Sequence, residues 1–193
     1  MEQINQTIVH VLEKLYQVQR SLLWDVGKVE NLSPVQMQFM IYLEKNPPDL
    51  CKVSVLAREF DLTKATVSDA ITSLENKSLI VKVMEKTDKR SFYIQLSPKG
   101  KKVVKRVSKW ADTIQSKIES FDGNEKKVVL VFLMELLKAL FDEGAINVPR
   151  LCITCNNFER DIKPSSTQPH RCGLTGKYVS DINLNIGCSN FSH

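Results

Sequence analysis

The sequence predicts a mainly helical fold with one small β-hairpin and a loop-rich tail, and three observations carry that prediction. Residues 53–78 place apolar side chains at helical spacing twice over, on either side of a short polar break. Residues 79–96 then read as two short strands around a charged turn. Beyond residue 146, four of the five cysteines arrive together while the helical period stops.

The first observation gives two short helices and a tight corner. Val55, Leu56 and Phe60 mark one helix, and Val67, Ala70, Ile71 and Leu74 mark the other. Between them, Leu62 is an apolar plug in a polar corner, and the Thr63 hydroxyl is placed to cap the second helix. Outward on that helix lie Lys64, Thr66, Ser68, Asp69 and Thr72. A helix with one apolar face and one face of short donors and acceptors suits the major groove of DNA. An ordinary helical hairpin with a solvated face has the same spacing, so the next stretch decides. Leu79 to Met84 and Phe92 to Leu96 form a hairpin whose tip carries Lys86, Lys89 and Arg90. Directly after a recognition helix, such a hairpin is a wing that brings cations to phosphates or the minor groove. Helix, corner, helix and charged hairpin make a winged helix-turn-helix.

This order of elements resembles the MarR family of transcriptional regulators. So do Leu62-Thr63 with Thr66-Val67-Ser68, Asp88-Lys89-Arg90 at the wing, and Leu96-Ser97-Pro98-Lys99-Gly100 opening the next helix. The likeness covers residues 4–143. It implies an obligate homodimer on a palindromic operator, with Arg90 as the wing residue, Asp88 positioning it, and Lys64, Thr66, Ser68 and Asp69 facing the groove. Asp69 departs from the basic residue common there; its carboxylate can accept from a cytosine amino group.

Charge supports the same place. The chain of 193 residues has a formal charge of +5, yet residues 52–109 hold 14 Lys and Arg against 6 Asp and Glu, a local +8, which leaves −3 for the rest. Cations concentrated on one segment are the footprint of a polyanionic partner. No apolar run is long enough to cross a membrane and the N-terminus lacks a secretory pattern, so a cytoplasmic protein is expected.

Ile4, Ile8, Val11, Leu12, Leu15, Val18, Leu22 and Leu23 give the first helix a stripe too wide for a lone surface helix. Ser33-Pro34 and Ser97-Pro98 each supply a cap and a proline at the first helical position. Lysines crowd the start of the second of these helices, a cost against the macrodipole that faces phosphates sensibly. The helix at 128–141 is apolar on most sides and needs cover. Residues 1–145 are therefore expected as the winged domain, with dimerisation helices at about 2–27, 98–121 and 124–143 around a DNA-binding core at about 33–96. A helical core within one chain is the alternative. His10, near the first stripe, reads as a packed or solvated residue rather than a ligand.

Residues 146–193 form the cysteine-rich segment, spaced Cys152-x2-Cys155-x16-Cys172-x15-Cys188. A Cys-x2-Cys turn sets two thiolates on one edge of a tetrahedron, and two later thiolates complete it. So short and apolar-poor a segment gains its folding energy from a metal. Zinc is the first expectation, as a closed structural site; a 4Fe-4S iron-sulfur cluster is the alternative and would make a redox or metal sensor. His170 is a possible substitute ligand. Cys51 stands alone and reads as a packed residue. No phosphate loop, nucleophile elbow or HExxH motif is present, so no enzyme is expected. The function predicted is a homodimeric regulator of double-stranded DNA, open to a small-molecule or redox effector. A protein-interaction module that no longer binds DNA is its rival.

Overall fold

The computed structural model describes residues 2–84, 91–146 and 150–192. In chain order its elements are α1 Glu2–Glu30, α2 Pro34–Lys45, α3 Val53–Glu59, α4 Lys64–Asn76, β1 Ile80–Met84, β2 Phe92–Leu96, α5 Pro98–Val107, α6 Asp112–Glu119, α7 Gly123–Asp142, β3 Phe158–Glu159, β4 His170–Cys172 and β5 Tyr178–Val179. Contacts divide the chain into two units: Met1–Leu56 with Thr63–Lys117, and Ala57–Leu62 with Ile118–His193. Among the described residues no helix is long and apolar enough to cross a membrane.

The first unit is a winged helix built on a carbon core. Ser33 caps α2 by accepting from the Gln36 N–H, while the Gln36 side chain accepts from the Ser33 N–H. The same glutamine donates to Ser73 Oγ at 2.9 Å and accepts from Lys77 Nζ at 3.2 Å, which ties α2 to α4. Beneath these bonds Met37, Phe39, Met40, Leu56, Ile71 and Leu74 are fully buried. β1 and β2 pair antiparallel, with Ile80 opposite Leu96 and Met84 opposite Phe92. Ser97 then does two things: its hydroxyl donates to the Ser78 carbonyl at 2.7 Å and accepts from the Gly100 N–H at 2.9 Å. A Cβ at Gly100 would lie 1.9 Å from the Leu79 carbonyl oxygen, so this crossing of α5 over the chain admits only glycine.

The single helix expected at 98–121 is divided. α5 ends where the Ser108 N–H turns to both the Val104 and Arg106 carbonyls, and a 3-10 turn over Ser108–Ala111 leads into α6. α1 buries only Leu23 and Gly27; Ile4, Val9, Val11 and Leu15 are exposed, as is His10.

In the second unit Asp61 takes a φ of 50° and the Leu62 N–H returns to the Ala57 carbonyl at 2.8 Å, closing α3 in a left-handed turn. Asp122 caps α7 in a reciprocal box with Glu125. α7 is less covered within one chain than its composition demands: Met134 is buried, but Val128 is 69% and Phe132 46% exposed. The tail is more regular than a run of loops. β3, β4 and β5 form an antiparallel sheet in that order, with Phe158 opposite Cys172 and Arg171 opposite Tyr178. Leu151 and Ile153 bury themselves with Met134 of α7, flanked by Leu130, Phe158 and Leu184. Ion pairs from Arg160 to Glu135 at 2.5 Å and from Lys127 to Asp181 at 3.3 Å fasten the same contact.

Candidate nucleic-acid interface and thiol cluster

α4 presents the two faces that its sequence implies. Val67, Ile71 and Leu74 are buried, while Lys64, Thr66, Ser68, Asp69 and Thr72 are all exposed. Thr63 caps the helix by accepting from the Thr66 N–H at 3.1 Å, and the two threonine hydroxyls share a further bond of 2.9 Å. The Thr66 hydroxyl is therefore already directed at the helix start, where N–H groups and the dipole favour an anion. Of the expected wing residues, Lys86, Lys89 and Arg90, with Asp88, lie outside the described residues.

Part of the local positive charge has internal duties that the sequence did not reveal. Lys77 donates to the Asn31 carbonyl at 2.6 Å, Lys99 to the Lys77 carbonyl at 2.9 Å, and Lys82 to Glu75 at 2.6 Å. Arg106 forks onto both oxygens of Glu30, at 2.5 and 2.8 Å, and this hydrogen bond holds the glutamate below its usual carboxylate range. Lys99 thus closes the C-terminal end of α4 while sitting in the first turn of α5.

In the tail, Cys152, Cys155, Cys172 and Cys188 all line one cavity of about 60 Å³. Phe158, Leu174 and Val179 complete its wall. Yet among the described residues no three His, Cys, Asp or Glu side chains are gathered as they would be round a single metal ion. Cys152 Sγ accepts from the Asn185 N–H at 3.2 Å, although burial pushes this thiol up. Cys172 is drawn down, first by the Thr175 hydroxyl and then by the Thr175 and Leu174 N–H groups. Thr175 was not singled out from sequence; its place three residues after Cys172, in a turn closed by the Gly176 N–H to the Cys172 carbonyl at 2.7 Å, is the signal that identifies it.

His170 does not join the thiols. It is 3% exposed and lines a different cavity, beside Met134, Ile153 and Leu184. Its Nδ1 accepts from the Asp161 N–H at 3.2 Å and its Nε2 meets Asp181 Oδ1 at 3.0 Å. Asp181 is held low by His170 first and by Lys127 as well. Both ring nitrogens are thus committed to fastening the sheet. Cys51 is buried in the first unit with its thiol 3.5 Å from the Asn46 carbonyl, remote in sequence from the cluster.

Residues 30–91 match the model of the MarR family. The matched segment spans α2 to the start of the hairpin. The MarR-like part is also similar to the HTH-type transcriptional regulator BilQ of Clostridioides difficile, at 27% identity over 109 residues, 54% of this chain and 72% of that protein. Among solved structures, Staphylococcus aureus MarR in complex with salicylate and kanamycin superposes with a TM-score of 0.63 at 16% identity, over 74% of this chain and 95% of that one. The S. aureus MepR–DNA complex gives 0.60 at 20% identity, over 68% and 97%. The MarR-type architecture, mainly helical with one small antiparallel wing, is the fold of this protein.

Proposed function

We propose that the protein is a transcriptional regulator that binds double-stranded DNA as a homodimer on a palindromic operator, and is not an enzyme. The observation that carries this reading is the exposed row Lys64, Thr66, Ser68, Asp69 and Thr72 on a capped α4, backed by buried Val67, Ile71 and Leu74. Each α4 enters the major groove of one half-site, and Lys86, Lys89 and Arg90 of the wing hold the flanking backbone. Support comes from the MepR complex, which contains DNA, and from the name of BilQ, a transcriptional regulator. The apolar residues exposed on α1 and α7 supply a second copy with its contact. A small molecule is a reasonable effector, since S. aureus MarR is seen with salicylate and kanamycin. It would act by changing the separation of the two reading helices. A cytoplasmic location fits this role. The tail, in the same reading, holds a thiolate-bound metal group on Cys152, Cys155, Cys172 and Cys188, with zinc the simplest occupant.

The test is fluorescence anisotropy on an operator duplex selected from random sequence, in a salt series. Lys64→Ala with Arg90→Ala is expected to weaken binding about 100-fold and to lower the salt slope by about 2. Unchanged affinity would instead favour an interaction module without DNA. A monomer at micromolar concentration would remove the dimer.

A further inference from the structure

The corner that leads into α4 has little to hold it locally. α3 spans only seven residues, Val53–Glu59, too few for a helix to persist on its own hydrogen bonds. After it Asp61 takes a φ of 50°, a left-handed conformation that costs an L residue free energy and persists where the surroundings enforce it. Leu62 follows with its N–H on the Ala57 carbonyl, and two residues on the chain enters α4. What fixes residues 57–62 therefore fixes the point from which α4 starts.

Those residues belong by contact to the unit that holds the tail, whereas the chain on either side of them belongs to the first unit. The polar link is Arg150. Its Nε donates to Glu59 Oε2 at 2.9 Å, and the two side chains are only 10% and 20% exposed. So enclosed a pair is weakly screened by salt, and removing either partner leaves the charge of the other out of water and unmatched. The arginine is also held through its backbone. Its carbonyl accepts from the Gly187 N–H at 2.9 Å and from the Cys188 N–H at 3.0 Å. The next residue, Leu151, bridges Ile186 and is buried with Met134 of α7. One short run of chain thus grips α7 through Leu151 and the end of α3 through Arg150.

We infer that Arg150 is a positioning residue for DNA reading: by holding Glu59 it fixes the corner from which α4 begins, so the seated tail sets operator affinity without touching DNA. The inference rests on the reading of α4 as the DNA-reading helix, and it holds whatever group the tail cysteines carry.

The experiment measures operator binding of the full chain by anisotropy in a salt series, beside hydrogen exchange. Arg150→Met and Glu59→Gln should each weaken binding about tenfold, and the double variant should lose no more than either alone. Their salt slopes should match wild type, and exchange across residues 57–63 should quicken by about fivefold or more. Lys163→Met, which removes a tail cation lying over the Tyr178 ring, should bind as wild type does. A salt slope lower by about 1 for Arg150→Met would overturn the inference, because it would put Arg150 on a phosphate. So would additive losses in the double variant, or unchanged exchange across residues 57–63. If Arg150→Met unfolds the tail, seen as lost protection in β3 to β5, Glu59→Gln decides, since it leaves the tail's own residues intact. Wild-type protein that binds no duplex would overturn the reading of α4 and with it the effect on affinity, while exchange at the corner still confirms or refutes the hold by Arg150.

Discussion

The two units reach order by different means. In the winged unit, Met37, Phe39, Met40, Val67 and Leu74 have no accessible surface, and hydrogen bonds such as Gln36 to Ser73 only fix the packing that these side chains create. In the second unit, among the described residues, Met134, Leu151 and Ile153 make one small buried apolar group, and further order comes from a small sheet, ion pairs and a histidine held at both nitrogens. A core contributes stability in proportion to the apolar area it removes from water. Where that area is small, each polar fastening carries a larger share.

Substitutions in each unit can sharpen or break this contrast. The largest effect is expected for Phe39→Ala, which should cost the winged unit about 4 kcal/mol in denaturant unfolding, because the emptied space lies in a close-packed core. The transition of the second unit should stay in place. Met134→Ala should cost about 2 kcal/mol, at the low end for such a change, since its cluster is small and open at the edge. Hydrogen exchange in β3 to β5 should quicken while the winged unit is unaffected. If both substitutions moved both transitions equally, the contrast would fail.

The smallest effect concerns pH. Glu30 is held below its usual value of 4.5 by the Arg106 hydrogen bond. A carboxyl with a lowered folded pKa adds stability that is present above the unfolded value and is lost as pH falls through the folded one. The gap in stability between wild type and Arg106→Met should therefore narrow as pH falls below the ordinary glutamate value of 4.5, and close once Glu30 is protonated in both chains. Thermal unfolding of the winged unit across this range measures it. A gap that persists at the acid end would mean that Arg106 acts through packing.

Much of the winged unit was legible because its signals are local. Thr63, Ser33 and Ser97 announce helix starts by hydroxyl chemistry that acts within three residues, and all three cap as read. Asp122 with Glu125 has the same signature, and it caps α7. The short strands of the tail escaped notice because two or three residues carry too little periodicity to register. The charge count also overstated the free positive charge of the winged unit. Lys77, Lys82, Lys99 and Arg106 look like any other cation in sequence, and their partners lie at least seven residues away.

By itself the sequence determined the winged helix, the exposed polar face of α4 and the grouping of four cysteines, because helical period, caps and spacing are properties of neighbours along the chain. Only the tertiary structure decided that His170 fastens the tail sheet with both nitrogens, that Thr175 serves Cys172, and that the four cysteines line one cavity. Those are relations between residues brought together by folding, and no spacing along the chain encodes the distance at which they meet.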